Sequence, residues 1–90
     1  MSIQKIVSEI SRKIGNLELV QYSRSNSSVS KAKDLLAGIY ISDGCIEIRG
    51  ITGTEISLVQ DRFFSSSKID ENIYRFSHGN LEVLIRSVEY

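Results

Sequence analysis

Proline and tryptophan are absent from this 90-residue chain, and cysteine and histidine occur once each. Without proline, turns must be built from Gly, Asn, Asp and Ser, and no slow prolyl isomerisation limits folding. The single Cys45 excludes an internal disulfide and an all-cysteine metal site within one chain. One His, one Cys and dispersed carboxylates match no zinc spacing, and no alternating Asp/Asn calcium loop is present. Gly50-Ile51-Thr52-Gly53 has two glycines but neither a phosphate-loop lysine nor the dinucleotide pattern. No metal and no cofactor is therefore expected. No apolar run approaches the ~20 residues needed to cross a bilayer, and no cationic start leads into a long apolar core. A cytoplasmic protein without membrane contact is the expectation.

Net charge is also lacking, since eleven basic side chains balance eleven acidic ones. That balance argues against a dedicated polyanion binder. Its distribution is uneven, however. Residues 1–33 carry six Lys/Arg against two Glu, whereas residues 34–90 carry five against nine acidic groups.

What the chain does have suits one small domain, residues 1–90, with a modest core. Thirteen isoleucines lean the composition towards sheet, because β-branched side chains fit a pleated surface. The N-terminus departs from this. Ile3, Ile6, Val7, Ile10 and Ile14 recur at helical spacing, with Ser2 as N-cap and Gly15-Asn16 as the stop. Leu17 to Ser23 alternates as a strand. VSKAKDLLAG then places Val29, Ala32, Leu35 and Leu36 at helical spacing ahead of Gly38, which predicts a short second helix.

Asp43-Gly44 between alternating runs predicts a type I′ hairpin. It pairs Ser42 with Cys45 and Ile39 with Ile48, with four isoleucines on one face and Tyr40, Ser42, Cys45, Glu47 and Arg49 on the other. Residues 54–64 alternate at Ile56 and Leu58 and lose phase at Val59; strand with a bulge is preferred over a helix. SSSKIDEN reads as a polar connection. A second hairpin turns around His78-Gly79-Asn80, with Tyr74, Phe76, Leu81, Val83 and Ile85 on a common face; a His78-Gly79 loop would set Arg75 opposite Glu82. The expected fold is α+β: the N-terminal helix and the short second helix on one face of a mainly antiparallel sheet of about five to six strands. If the last strand lies at the sheet edge, it invites a homodimer or a partner complex by strand addition.

Little in the sequence points to chemistry. Cys45 and His78 each lie in or beside a hairpin turn, but no third orienting group or oxyanion-hole motif accompanies them. An enzyme is not expected. Tyr74 and Phe76 flanking Arg75 resemble a base-stacking pair, yet their face continues into Leu, Val and Ile and reads as core.

The polar cluster SRSNSSVSKAK, Ser23 to Lys33, is the remaining candidate. Ser27 or Ser28 would cap the second helix, and Lys31 and Lys33 would crowd its positive end, a mismatch that an anion relieves. Arg24, Ser27, Ser28, Lys31 and Lys33 are thus the expected anion or partner contacts. The expected function is a small non-enzymatic protein–protein interaction module: a complex subunit, an inhibitor or an antidote-type partner. The alternative is a nucleic-acid-binding protein that contacts phosphates through its basic N-terminal third, with Arg12 and Lys13 joining the set.

Overall fold

The structure, a computed structural model, describes residues 2–88. Helix α1 spans Ile3–Ser11, and the Ser2 hydroxyl caps it by accepting the Lys5 N–H at 3.3 Å. Its apolar stripe buries Ile6, Val7 and Ile10. Seven strands follow: β1 Leu17–Ser25, β2 Ser28–Ser42, β3 Cys45–Gly50, β4 Glu55–Val59, β5 Phe64–Asp70, β6 Ile73–His78 and β7 Leu81–Ser87. They form one antiparallel sheet in the order β4-β3-β2-β1-β7-β6-β5, curled into a half-barrel around α1.

The α+β expectation is therefore corrected to a mostly β fold with one short helix and seven strands. The second helix is the main departure. Residues 28–35 pair one-to-one with residues 18–25 of β1, from Glu18↔Leu35 to Ser25↔Ser28. A short helix is marginal in water on propensity alone, and this run of cross-strand pairing outweighs the helical preference of Lys, Ala and Leu. Ser27 and Ser28 consequently cap nothing. Asn26 takes a positive φ of 52° in the hairpin turn, and the Ser28 hydroxyl donates to the Ser25 carbonyl at 3.1 Å.

Other segments shift less. SSSKIDEN supplies the edge strand β5, whose register breaks between Lys68 and Asp70. A bulge of this kind blunts an open edge. Strand β4 ends at Val59 rather than bulging, because the Asp61 carboxylate accepts the Phe63 N–H at 2.9 Å and turns the chain. The β6–β7 loop is Gly79-Asn80, so Arg75 faces Leu84 and reaches Glu82 diagonally at 3.3 Å. Strand β7 lies between β1 and β6 with both edges paired. Strand addition at the C-terminal strand has no place there; the open edges belong to β4 and β5.

The first hairpin matches its prediction. Asp43 and Gly44 have φ of 49° and 74°, and the register runs Ser42↔Cys45 to Ile39↔Ile48. An added Cβ at Gly44 meets nothing within 4 Å, so Gly44→Ala should cost only its backbone strain, about 1 kcal/mol. Urea denaturation of the variant measures this directly.

One core fills the concave side. Ile6, Val7 and Ile10 of α1 pack with Leu19, Leu36, Ile46, Ile48, Leu58, Tyr74, Phe76, Val83 and Ile85. Strand β2 serves both halves of the sheet, pairing β1 with its first half and β3 with its second. The irregularity between Leu36 and Gly38 marks where it passes from one to the other. Among the described residues no helix is long and apolar enough to cross a membrane.

Candidate functional site

Strand alternation sends every second residue of the central strands away from α1. The partners Glu18↔Leu35, Val20↔Lys33, Tyr22↔Lys31 and Arg24↔Val29 share this outer side of β1 and β2. Across β7 and β6 the same rows continue through Glu82, Leu84 and Arg86 to Arg75 and Ser77. Arg24, Lys31 and Lys33 are thereby brought onto one face, although as strand residues and not at a helix terminus. Ser27 and Ser28 lie beside them at the hairpin tip, with Ser28 engaged in the turn. Arg12 and Lys13 do not join them. They follow α1, on the opposite side of the sheet.

Arg75, Arg86, Tyr22 and Leu84 complete the outer face; of these the sequence singles out Arg75, between Tyr74 and Phe76 and near Glu82, while Arg86, Tyr22 and Leu84 carry no local mark of a site. Tyr22 alternates on β1 itself, whereas Arg75, Leu84 and Arg86 come from β6 and β7, distant strands whose adjacency to β1 the topology supplies. Counting the outward positions of β1, β2, β6 and β7, five cationic groups (Arg24, Lys31, Lys33, Arg75, Arg86) meet two carboxylates (Glu18, Glu82).

The carboxylates are engaged. Glu18 accepts from Arg86 Nε at 2.8 Å and sits 3.5 Å from the Lys33 ammonium. Burial pushes its pKa up, but the Arg86 hydrogen bond and the two positive charges hold it below the usual carboxylate range. Glu82 pairs with Arg75. Lys31 lies 5.9 Å above the Tyr22 ring, a cation–π contact that leaves its ammonium in solvent. Arg24 is exposed and has no ion-pair partner among the described residues.

Two shallow depressions flank the Arg24–Glu82 position. One, about 230 Å³, is lined by Tyr22, Arg24, Val29, Glu82 and Leu84. The other, about 170 Å³, is lined mainly by polar groups, among them Arg24, Arg75, Ser77, Asn80 and Glu82. The Arg24 N–H donates to the Asn80 carbonyl at 3.1 Å, which ties the β1–β2 hairpin to the β6–β7 turn and sets the two depressions side by side.

The remaining polar clusters have structural work. Lys13 donates to the Glu71 carbonyl, the Asn72 side chain and the Tyr74 hydroxyl at 2.9, 3.1 and 2.9 Å. Lys68 donates to Glu9 at 2.8 Å, and this bond chiefly lowers the Glu9 pKa and raises that of Lys68. Together these bonds clamp the helix and the chain just after it onto β5 and β6. His78 Nε2 bonds Asp61 at 2.9 Å, which holds the Asp61 carboxyl low, while Phe63 packs edge-on against the imidazole. Cys45 projects outward with its partners Ser42 and Val59, whereas His78 shares the inward phase of Tyr74 and Phe76. The two therefore lie on opposite sides of the sheet. Among the described residues no group of three or more His, Cys, Asp or Glu is placed to hold a metal ion.

Compared with protein-family models, curated proteins and solved structures, the chain gives no match.

Proposed function

We propose that the chain is a non-enzymatic binding module that engages a protein partner through the outer face of β2, β1, β7 and β6, as a complex subunit, an inhibitor or an antidote-type partner. The observation that carries this reading is the combination on that face. Exposed apolar groups (Val29 at 60% and Leu35 at 46%) lie among cations in excess over carboxylates, and among the described residues no second layer covers them. Apolar area supplies affinity when it is desolvated, while the surrounding charge selects and orients the partner.

A nucleic-acid reading keeps one specific support, the surplus of cations on the face. Glu82 and Glu18 weigh against it, since both would stand under any phosphate track. Binding to phosphates would fall steeply with salt, whereas a mixed protein interface would respond less.

The test is affinity capture with purified wild type, the double variant Arg24→Glu/Lys31→Glu, and Lys5→Glu on the exposed side of α1 as control. A specific protein retained by wild type and control but lost by the double variant supports the reading. Equal retention by all three places the interface elsewhere and ends it. Circular dichroism should show all three folded, because each substituted side chain is exposed.

A further inference from the structure

We infer that the partner presents an acidic, extended segment, with one carboxylate set against Arg24 and Arg75 and an apolar side chain two residues away in the depression between Tyr22, Val29 and Leu84. The inference rests on the outer-face function proposed above and adds the chemistry of its occupant.

Charge complementarity carries the first half. Arg24 has no ion-pair partner among the described residues, and the depression it shares with Arg75 adds the Ser77 hydroxyl and Asn80. Two guanidinium groups and neutral donors suit a carboxylate, which guanidinium binds in a fork geometry. Glu82 already neutralises much of Arg75. One incoming carboxylate therefore balances the charge within this depression.

Spacing carries the second half. Leu84 and Arg75 are direct cross-strand partners, and Glu82, which pairs with Tyr22, lines both depressions together with Arg24. Adjacent strands lie ~4.8 Å apart, so the depressions are separated by roughly one to two strand spacings. Same-side residues of an extended peptide repeat every ~7 Å. A carboxylate at one position and an apolar side chain two positions on therefore fit both depressions in one pass. The neighbouring ammonium of Lys31 supplies a further contact for an acidic flank.

The experiment is a ¹H–¹⁵N titration of the full chain with a capped peptide, Glu-Ser-Leu-Ser-Glu. Three comparison probes go alongside: the same peptide with Ser for Leu, inorganic phosphate, and an eight-nucleotide oligo-thymidine. The expected result is shift changes confined to the neighbourhood of Tyr22, Arg24, Val29, Ser77 and Leu84. The affinity should fall about tenfold or more in Arg24→Glu and severalfold with the Leu-less peptide, and remain unchanged in Lys5→Glu. Equal shifts with phosphate alone, tighter binding of oligo-thymidine, or no response at millimolar peptide would each overturn it. If capture of a protein partner still depends on Arg24 and Lys31 while the peptide is silent, the outer-face function stands and the segment chemistry falls.

Discussion

Gly50→Ala is expected to lower the thermal midpoint by on the order of 10 °C. The cause is local. Asp34, 8% exposed at the β2 bend, accepts the Thr52 hydroxyl at 2.8 Å, the Thr52 N–H at 3.1 Å and the Leu35 N–H at 2.8 Å. It thereby fastens β2 to the turn that joins β3 and β4. A Cβ on Gly50 would run into the Asp34 carboxylate, with even the Asp34 Cβ only 2.9 Å away. The carboxylate cannot swing aside without breaking its bonds, so the backbone must move. Overpacking of this kind costs about 1–3 kcal/mol. A double-mutant cycle checks the mechanism. Asp34→Ala removes the carboxylate but keeps the Cβ, so Gly50→Ala should add a smaller loss in that background than in wild type, whereas two independent sites would add in full.

The same carboxylate gives a pH signature. Burial raises the Asp34 pKa, but hydrogen bonds from the Thr54 and Thr52 hydroxyls and from the Leu35 and Thr52 N–H groups outweigh it and hold the pKa at about 2, against 3.8 normally. A pKa lowered on folding means that the ionised form belongs to the native state. Its stabilisation is therefore complete above about pH 4 and is lost as the pH falls towards about 2. Urea midpoints of wild type should decline across that interval. Asp34→Asn should start lower at neutral pH and decline less steeply. Some acid slope should remain in the variant, because Glu9, Glu18 and Asp61 are also held below their usual values. Parallel curves for the two proteins would contradict the assignment.

Local rules hold where the structure is local. The Ile stripe of α1 and the Asp43-Gly44 turn follow from side-chain period and backbone sterics, and both stand where the sequence places them, although the helix stops at Ser11, short of Gly15. The common face of Tyr74, Phe76, Val83 and Ile85 is also legible, and all four are fully buried. The departures fall where pairing between distant segments decides. Ser65, Ser66 and Ser67 carry no strand signal, yet β5 forms because β6 offers it an edge. Strand β7 comes last in the sequence, which suggests an edge, but the return of the chain to β1 puts it near the middle of the sheet. The candidate site is half legible for the same reason. Arg24, Lys31 and Lys33 stand out as a basic cluster, while Arg75, Leu84 and Arg86 join them only through the β1–β7 and β6–β7 registers.

Leu35 and Leu36 separate the two conformations that the sequence allows for residues 28–36. A helix with Val29, Ala32, Leu35 and Leu36 on its stripe would bury both leucines against the sheet. The strand puts them on opposite faces: Leu36 is 1% exposed in the core, and Leu35 is 46% exposed outside. Leu36→Ala should therefore cost about 2–5 kcal/mol, the range for emptying a packed core site. Leu35→Ala should change stability by only about 0.5 kcal/mol, as surface substitutions do. Chemical denaturation of the two variants decides the matter, and comparable losses would restore the helix. The functional consequence runs the opposite way. If the outer face is the docking surface, Leu35 is one of its exposed apolar groups. Leu35→Ala should then weaken partner capture in a protein of unchanged stability, separating the surface that binds from the core that holds it in shape.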